Sequence, residues 1–519
     1  MVKKEDALNA RVPPVLRPEH PLARSLAGLV AHFGLDYRGS LDGIEITGVT
    51  LRTSEVRPGD LYVGIRGTHS HGAEYAMQAK AGGAVAVLTD VDGAELAAGS
   101  GLPIVLVESP RGALGDVSAW VYQTSEHPPL LFGVTGTNGK TSTAYLLEAI
   151  LGQLGLVTGL SSTAERHIAD LTVVSRLTTP EASEMHALLA RMRESEVRAV
   201  AVEVSAQALS RNRVDGMVFD VVAFTNLSHD HLDDYADMNE YFAAKLALFE
   251  PERGKRGVVS LDSSWGRLVV EGSHIPVTTI SATPGVTAEW TVQILEERTA
   301  FTRFRLTGPE DRTLTSRVPL IGRHMAANAA LAVVMLVAAG FELEAIGRAI
   351  EDGIVAYLPG RTERVSGDAG PSVYVDFGHS PDAFLNTLAA VRTVTAGKVI
   401  MVFGADGDRD ATKRHEMGRV ASEGSDILVI TDHHPRFEDP ASIRATLIEG
   451  AHLAEHEAEL HEVGAPEKAI RHAVSLAGEG DSILWAGPGH QDYRDIEGVR
   501  TPYSARAEAR AALREAGWS

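Results

Sequence analysis

The sequence predicts an α/β protein of three domains, and two groups of apolar strands support this prediction. Residues 199–204 and 221–226 are nearly uniformly apolar, as in parallel strands covered on both faces. A second group alternates with polar loops and helices, at 373–376, 399–404, 427–431 and 483–487. A chain of 519 residues is also too long for one core. We expect a loose leader at 1–21, a small N-terminal α/β domain at 22–128, a central P-loop ATPase-type domain with a parallel sheet at 129–356, and a doubly wound, Rossmann-like domain at 357–519.

Composition excludes several classes of function. The formal net charge of −21 argues against nucleic acid or an anionic membrane as the main partner. The absence of cysteine excludes disulfides, thiol catalysis and cysteine-bound metals. The first 21 residues lack the apolar segment of a signal peptide, and the longest apolar run, 325–341, is too short to span a bilayer. We therefore expect a cytoplasmic protein without membrane insertion, most simply a monomer.

The strongest local signal is a glycine-rich turn between a strand and a helix. Apolar residues 130–134 lead into Gly136, and the turn ends in Gly139-Lys140-Thr141 before a helix expected at 144–151. Backbone N–H groups, the helix dipole and the lysine can bind phosphate, while the threonine hydroxyl can hold Mg²⁺. The spacing departs from the general pattern, because five residues separate Gly133 from Gly139. We nevertheless predict a nucleotide-phosphate site in place of an ordinary tight turn.

Other candidate residues are ambiguous when each is judged alone. Glu203 closes a buried strand and suits either a metal ligand or a salt-bridged structural acid. The loop 228–233 is rich in metal-ligand residues but resembles many surface loops. Lys245 lies among apolar residues, where the ordinary interpretation is a side chain that extends to solvent. The histidine pair at 433–434 suggests zinc, but no second pair of ligands stands at metal spacing.

In combination, these motifs resemble the Mur ligase family. The resemblance extends from about residue 45 into the C-terminal region, and it is closest to members that add the third residue of the peptidoglycan stem peptide. The motifs that carry it are Thr-Gly-Thr-Asn-Gly-Lys-Thr at 135–141, Thr-Thr-Pro-Glu at 178–181, Val-Glu-Val-Ser at 202–205, Asn-Leu-Ser-His-Asp-His-Leu-Asp at 226–233, Tyr-Phe-Ala-Ala-Lys at 241–245, Leu-Pro-Gly-Arg at 358–361, Asp-Phe-Gly-His-Ser-Pro-Asp-Ala at 376–383 and Gly-Asp-Arg-Asp at 407–410.

The resemblance implies an ATP- and Mg²⁺-dependent amide ligase. Its partners would be UDP-N-acetylmuramoyl-L-alanyl-D-glutamate and a free amino acid. ATP would phosphorylate a carboxylate of the first partner, and the amino group of the second would attack the acyl phosphate. Since the phosphate is a good leaving group, the protein's task is positioning and charge stabilisation.

The same resemblance assigns roles to individual residues. The catalytic group is Lys140, Glu203, His231 and Lys245. The ATP contacts are Gly136, Thr137, Asn138, Gly139, Lys140, Thr141, Ser142, Asn328 and Arg361. The Mg²⁺ environment is Thr141, Glu203, His231 and Lys245, the last in carbamylated form, which would replace the solvent-reaching interpretation. The contacts to the UDP-linked substrate are Thr53, Thr68, His69, Ser70, Thr178, Thr179, Ser205, Arg211 and Arg213. The contacts to the amino acid are Arg409, His433, His434, Arg436, Gly487 and Gln491.

Three departures from the family pattern bear on the amino acid. Ser205-Ala206-Gln207 replaces Ser-Ser-His, His433-His434-Pro435-Arg436 replaces Asp-Asn-Pro-Arg, and 487–491 reads Gly-Pro-Gly-His-Gln in place of Gly-Lys-Gly-His-Glu. Gln491 cannot give the negative charge that would accept the far ammonium of diaminopimelate. We therefore expect lysine, ornithine or diaminobutyrate instead. Two alternatives stay open, namely a different amide ligase such as a folylpolyglutamate synthase, and a non-catalytic nucleotide-binding relative.

Overall fold

The computed structural model describes residues 15–126, 128–230 and 232–518. His231, a predicted metal ligand, and residues 1–14 of the predicted leader lie outside these ranges. Within them the chain forms successive α/β units, each built around a mainly parallel or mixed sheet. This confirms the predicted fold class. No helix in the described ranges combines the length and apolarity needed to cross a membrane.

The N-terminal unit is a mixed sheet in the order β2-β7-β6-β5-β4, with helices on both faces. Its strands are β1 Arg24–Ser25, β2 Asp36–Arg38, β3 Glu45–Ile46, β4 Gly48–Thr50, β5 Asp60–Val63, β6 Ala86–Thr89 and β7 Ile104–Leu106. Its helices are α1 Leu26–Phe33, α2 Ala76–Gly82, α3 Val91–Ala97 and α4 Pro110–Tyr122, with 3₁₀ turns at Thr53–Glu55, Gly72–Tyr75 and Ala98–Ser100. Strands β3 and β4 are separated by Thr47, because β3 pairs with β1 whereas β4 pairs with β5.

Residues 15–21 differ from the loose leader that was expected. Arg17 and Asp60 form a buried ion pair at 2.8 Å. The backbone N–H groups of Glu19 and His20 donate to the carboxylate of Glu194, each at 2.8 Å. This segment therefore joins the N-terminal unit to a helix of the central one.

The central unit contains the longest sheet, in the order β11-β10-β9-β12-β8-β13-β14-β15-β16-β17-β18. Its strands are β8 Leu130–Thr135, β9 Thr158–Ser161, β10 Glu165–Ile168, β11 Leu171–Val174, β12 Ala199–Glu203, β13 Val221–Phe224, β14 Gly257–Ser260, β15 Val277–Ser281, β16 Trp290–Arg298, β17 Phe301–Thr307 and β18 Thr313–Val318. Its helices are α5 Lys140–Gln153, α6 Ala182–Glu194, α7 Ala206–Ser210, α8 Met238–Leu246, α9 Ser264–Gly272, α10 Arg323–Ala338 and α11 Leu343–Ala349, with 3₁₀ turns at Ala247–Phe249 and Pro309–Asp311.

Strand β8 lies at the centre of the parallel part of this sheet, between β12 and β13. Its side chains alternate between two cores. Phe132 and Val134 pack in the core that contains α5 and α10, whereas Leu131 packs in the core that contains α6. Burial on both faces explains the continuous apolar sequence of β8 and β12, and it fixes the strand ends that carry the phosphate loop and Glu203.

The C-terminal unit is a doubly wound sheet in the order β19-β20-β24-β21-β22-β23, followed by a separate hairpin. Its strands are β19 Glu363–Arg364, β20 Ser372–Asp376, β21 Val399–Phe403, β22 Ile427–Ile430, β23 Glu459–Glu462, β24 Ser482–Ala486, β25 Tyr493–Ile496 and β26 Val499–Pro502. Its helices are α12 Pro381–Val394, α13 Arg414–Gly424, α14 Pro440–Ala451, α15 Pro466–Leu476 and α16 Ala505–Glu515. Its four predicted strands are all present.

Candidate active site

The phosphate loop joins the end of β8 to the start of α5. Gly136 and Gly139 have φ angles of +144° and +87°, which favour glycine. Helix α5 begins at Lys140, four residues before the expected start, so its free N–H groups face the loop. The Lys140 ammonium donates to the carbonyls of Gly136 at 3.1 Å and Thr137 at 2.9 Å. A glycine turn, a helix N-terminus and a lysine at one point fit a phosphate group.

Residues that follow β13 fix the backbone of the phosphate loop through hydrogen bonds. The Asn138 N–H donates to Asn226 Oδ1 at 2.9 Å, and Asn226 Nδ2 donates back to the Asn138 carbonyl at 3.1 Å. Thr225 Oγ1 donates to the same carbonyl at 2.6 Å. Asn226 and Thr225 therefore fix the backbone that would surround a phosphate.

Lys245 points into the interior instead of extending to solvent. Its side chain is 1% exposed, and its ammonium donates to the Gly136 carbonyl at 2.8 Å. It also lies 4.3 Å from the ring centre of Tyr241. Burial, together with the charge of Lys140, places the pKa of Lys245 well below its usual value. The ordinary interpretation of this lysine is therefore wrong, because its side chain is buried and contacts the phosphate loop.

Glu203 ends β12 and is fully buried. Its two carboxylate oxygens accept hydrogen bonds from the Thr163 N–H and the Thr163 hydroxyl, both at 2.9 Å. In the described ranges Glu203 makes no ion pair, so the alternative of a salt-bridged structural acid lacks a partner there. The charge of Glu203 opposes the lowering of the pKa of both Lys140 and Arg361, so it acts on the cations at the phosphate loop. A buried carboxylate at this position offers oxygen ligands of the kind that Mg²⁺ prefers.

The nucleotide contacts predicted outside the loop come from two different units. Asn328 lies on α10, and its Oδ1 would be 2.7 Å from a Cβ atom placed on Gly139. Arg361 comes from the C-terminal unit, donates to Thr141 Oγ1 at 2.7 Å and lies 4.4 Å from the ring centre of Phe377. The structure therefore brings both predicted residues to the phosphate loop.

Further contacts between the central and C-terminal units were not predicted. Asn138 Nδ2 donates to Asp382 Oδ2 at 2.9 Å. The Lys413 ammonium and Asp230 Oδ1 form a buried pair at 2.9 Å. Asp382 could have been found in the motif 376–383, because it is the last acid of that motif. Lys413 gave no signal in the sequence.

Three of the residues predicted to contact the UDP-linked substrate surround the end of β12. Thr178 Oγ1 lies 3.1 Å from Thr163 Oγ1, within hydrogen-bond reach. Thr179 Oγ1 donates to the Glu203 carbonyl at 2.7 Å and accepts from the Ser205 N–H at 3.1 Å. These hydroxyl groups lie beside the buried carboxylate and so adjoin the predicted metal environment.

The two predicted arginines differ in their surroundings. Arg213 is buried, and its Nε donates to Glu181 Oε1 at 3.1 Å. Arg211 is exposed and pairs with Asp234 at 3.2 Å. Arg213 therefore supports the loop that carries Thr179, whereas Arg211 is the one accessible to a ligand.

The N-terminal residues that were predicted to contact the UDP-linked substrate lie on two separate turns of the first unit. Thr53 begins a 3₁₀ turn, and Glu55 of that turn pairs with Arg176 of the central unit at 2.5 Å. Thr68, His69 and Ser70 form an exposed turn that the Gly67 N–H closes onto the Ser70 carbonyl at 2.9 Å. The first turn is thus attached to the central unit, and the second is free to meet a ligand.

Most residues predicted to hold the amino acid meet at the carboxyl ends of β22 and β24. His434 Nε2 is 2.9 Å from Gln491 Oε1, and its Nδ1 accepts the Asp495 N–H at 2.9 Å. Burial lowers the pKa of His433 to about 3, so this imidazole is neutral. Gly487 has a φ of +112° and faces the His433 ring.

An acidic residue lies beside each of the two arginines that were predicted to contact the amino acid. Arg436 Nη2 lies 3.5 Å from Asp406 Oδ2, and His433 Nε2 lies 3.7 Å from Asp406 Oδ1. Arg409 is directed toward the central unit, where its Nη1 is 3.7 Å from Asp233. The sequence interpretation chose Arg409 from the loop 406–410 and missed Asp406.

The departure at Gln207 lies close to Lys140 and Lys245. Gln207 borders a small cavity together with these two lysines and with Ser205, Ala206 and Tyr235. Its side-chain amide donates to Asp234. The residue that replaces the family's histidine therefore binds a neighbouring loop.

Comparison with known proteins agrees with this geometry. Three family models match in order: "Mur ligase family, catalytic domain" at residues 45–122, "Mur ligase middle domain" at 134–336 and "Mur ligase, glutamate ligase domain" at 360–489.

Individual proteins are similar over nearly the whole chain. A UDP-N-acetylmuramyl-tripeptide synthetase of Leifsonia xyli subsp. xyli is 64% identical, over 98% of this chain and 99% of the relative. A UDP-N-acetylmuramoyl-L-alanyl-D-glutamate--2,6-diaminopimelate ligase of Streptomyces avermitilis is 43% identical, over 96% and 98%. A solved structure of a ligase with the same printed name shares the fold, with a TM-score of 0.66 and 24% identity over 96% of this chain and 100% of the other. The chain belongs to the Mur ligase family of ATP-dependent ligases.

Proposed function

We propose that the protein adds the third amino acid to UDP-N-acetylmuramoyl-L-alanyl-D-glutamate in peptidoglycan synthesis, with ATP as the energy source. The observation that carries this proposal is the convergence of two units on one loop. The central unit provides Lys140, Lys245 and Glu203, and the C-terminal unit provides Arg361 through its 2.7 Å hydrogen bond to Thr141. A phosphate-binding loop completed by a second domain suits a transfer between two bound partners.

The residues present fit ATP and Mg²⁺. The positive φ angles of Gly136 and Gly139 and the start of α5 at Lys140 would hold the phosphates. Oxygen atoms of Thr141 and Glu203 would hold Mg²⁺, with His231 proposed as a further ligand. Asn328 would lie against the nucleotide from α10.

The chemistry needs positioning more than proton transfer. ATP supplies a γ-phosphate that converts a substrate carboxylate into a mixed anhydride, from which phosphate leaves when the amine attacks. Lys140 and Arg361 would neutralise the negative charge that develops on the transferring phosphate. The backbone fixed by Asn226 and Thr225 would keep the donors in place without reorganisation.

We propose that Lys245 acts as a carbamate. Burial and the charge of Lys140 lower its pKa well below the usual value, which increases the fraction of unprotonated, nucleophilic amine that reaction with CO₂ requires. Carbamylation replaces a cation by an anion, and the 2.8 Å contact to the Gly136 carbonyl shows how close that anion would lie to the phosphate loop. Such an anion would offer a ligand to a second Mg²⁺.

The UDP-linked substrate would lie across the first two units. Thr53, Thr68, His69 and Ser70 would contact its uridine part, and Thr178, Thr179, Ser205 and Arg211 its muramoyl-dipeptide part. We assign Arg213 a supporting role, because its guanidinium is already paired with Glu181.

We further propose that the amino acid is a diamino acid other than meso-diaminopimelate. Gln491 is neutral and is engaged with His434 at 2.9 Å, so it offers no charge to a far ammonium. The histidines at 433 and 434 are neutral as well, because burial lowers the pKa of both. Arg436 would hold a carboxylate, and Arg409 and Gly487 would border the site.

The test is amino-acid-dependent phosphate release by the purified enzyme. ATP, Mg²⁺ and UDP-N-acetylmuramoyl-L-alanyl-D-glutamate are supplied with lysine, ornithine, 2,4-diaminobutyrate or meso-diaminopimelate in turn. We expect turnover with one or more of the first three. Strict preference for meso-diaminopimelate would refute the amino-acid assignment, and ATP binding without turnover would favour a non-catalytic relative.

A further inference from the structure

Asp406 occupies the centre of the crevice at the carboxyl end of the C-terminal sheet. It follows β21, which lies between β24 and β22. The loop after β22 carries His433 and Arg436, and the loop after β24 carries Gly487. Ligands of open α/β sheets bind in the crevice beyond the strand ends. Asp406 is therefore placed among the residues proposed to hold the amino acid.

One oxygen of this carboxylate is buried and has no partner. Asp406 Oδ1 makes no hydrogen bond with any residue of the described ranges. The neighbouring imidazole nitrogen, His433 Nε2, lies at 3.7 Å from it, which is beyond hydrogen-bond reach. The other oxygen, Oδ2, faces Arg436 at 3.5 Å. A buried acceptor without a donor is costly, and native structures normally fill such a position.

Asp406 is ionised at neutral pH. Burial alone would raise the pKa of this carboxyl, but its net shift is downward, and Arg436 is the permanent positive charge beside it. An ionised oxygen with an empty acceptor position calls for a charged donor.

We infer that Asp406 is the specificity-determining residue whose Oδ1 accepts a hydrogen bond from the side-chain ammonium of the incoming amino acid. The inference rests on the proposed function and deepens it. An ammonium has three donors and no acceptor, so it matches a carboxylate oxygen that has no donor of its own. Asp406 supplies the negative charge that Gln491 does not.

The same three residues could be mistaken for a metal site. Asp406, His433 and His434 each place a ligand atom within 4.8 Å of the others. His434, however, has both ring nitrogens engaged, since Nδ1 accepts the Asp495 N–H and Nε2 lies 2.9 Å from Gln491 Oε1. A metal would have to break one of these bonds. An ammonium needs only the free oxygen of Asp406.

The arrangement also explains discrimination against meso-diaminopimelate. The far carbon of that amino acid carries a carboxylate beside its ammonium, and this carboxylate would approach Asp406. Arg436 is the nearest cation, but Asp406 already compensates it at 3.5 Å. A diamino acid that ends in a simple ammonium avoids this repulsion between like charges.

The test compares each diamino acid with an analogue in which a methyl group replaces the ammonium. The pairs are lysine and 2-aminoheptanoate, ornithine and norleucine, and 2,4-diaminobutyrate and norvaline, and the readout is kcat/KM for phosphate release. In Asp406→Asn we expect kcat/KM for the preferred diamino acid to fall about 10- to 100-fold, the effect of losing a charge-assisted hydrogen bond. The value for its methyl analogue should change less than about threefold, because that analogue never made this bond.

Asp408→Asn is the matched control. It removes the same charge from the same loop, but the Asp408 carboxylate accepts the Phe437 N–H at 3.0 Å, and an amide oxygen can also accept it. Asparagine also tolerates the φ of +50° at this position. In this variant the ratio of kcat/KM between each diamino acid and its methyl analogue should stay at the wild-type value. Asp406→Glu, which keeps the charge but extends the carboxylate into the site, should shift preference toward a diamino acid shorter by one methylene.

Four results would overturn the inference. The first is an equal reduction of kcat/KM for both members of a pair in Asp406→Asn while its melting temperature is unchanged. That result would mean that Asp406 contacts the α-amino group, which both members share, or only shapes the site. Unchanged selectivity would remove it from recognition. Stoichiometric Zn²⁺ uptake that is lost in Asp406→Asn would make the cluster a metal site. A selective loss in Asp495→Asn alone would move the role to Asp495, whose Oδ1 is also buried without a hydrogen-bond partner among the described residues. Absence of wild-type turnover with every amino acid would instead refute the proposed function.

Discussion

The buried pair between Lys413 and Asp230 should control the assembly of the active site. Lys413 belongs to the C-terminal unit and Asp230 to the central one, and their side chains are 10% and 8% exposed at a distance of 2.9 Å. Replacing Lys413 by Met leaves the carboxylate buried without its ammonium, which costs about 3–5 kcal/mol in fully buried pairs. His379 stays 3.7 Å from Asp230 and offsets part of this loss. We therefore expect about 2–4 kcal/mol, or roughly 30- to 900-fold in kcat/KM.

A double-mutant cycle measures the pair itself. The cycle compares kcat/KM for phosphate release in the wild type, Lys413→Met, Asp230→Asn and the double variant, so that other roles of Asp230 cancel. We expect a coupling free energy of about 2 kcal/mol or more. The double variant should therefore have a higher kcat/KM than the sum of the two single losses predicts. The exposed pair of Arg392 and Asp426, with side chains 43% and 44% exposed, is the control and should couple by less than about 1 kcal/mol. A coupling below about 0.5 kcal/mol between Lys413 and Asp230 would refute the reasoning.

Three further predictions concern single residues. Lys245→Ala should lose activity and regain part of it with added short carboxylates, measured by phosphate release; full activity without them would remove Lys245 from the mechanism. Gly360→Ala, at a φ of +62° against the Gly489 backbone, should lower the melting temperature more than Gly34→Ala, at +63° with open space; equal shifts would contradict the packing argument. Hydrogen bonds to Glu148 and Glu165 overcome burial and raise the pKa of His167 to about 9 from 6.5. Its stabilisation is therefore complete below pH 6.5 and lost as pH rises to about 9, and urea unfolding should show that slope in the wild type but not in His167→Gln.

The sequence could predict the features that depend on local pattern. Strands β8 and β12 are buried on both faces, so their continuous apolar residues identify them, and parallel strands necessarily place the phosphate loop and Glu203 at the same edge of the sheet. The start of α5 was predicted four residues late, because Lys140, Thr141 and Ser142 are polar residues inside its first turn. The family resemblance assigned Asn328 and Arg361 to the nucleotide, and the structure places both side chains at the loop.

Features that depend on contacts between distant segments could not be predicted. Lys413 and Asp230 are 183 residues apart in the chain, and no periodicity relates them. Lys245 was misjudged for the same reason, since its polar partner, the Gly136 carbonyl, is 109 residues away. Asp406 stood in a loop with several charges, and only the structure shows that one of its oxygens lacks a donor.

The phosphate loop is surrounded by basic side chains, although the chain as a whole is acidic. The protein carries a net charge of −21, yet Lys140, Lys245 and Arg361 all donate hydrogen bonds within residues 136–141. Burial is the main reason that the pKa values of Lys140 and Lys245 are lowered, and mutual repulsion adds to it, from Arg361 on Lys140 and from Lys140 on Lys245. Buried cations that repel one another are stabilised by a polyanion. Because Arg361 comes from the C-terminal unit, we expect an anion bound at the loop to stabilise the contact between the two units as well. Nucleotide binding and assembly of the proposed amino-acid site would then be coupled, and this coupling would favour activation of the carboxylate only when the site for the amine is formed.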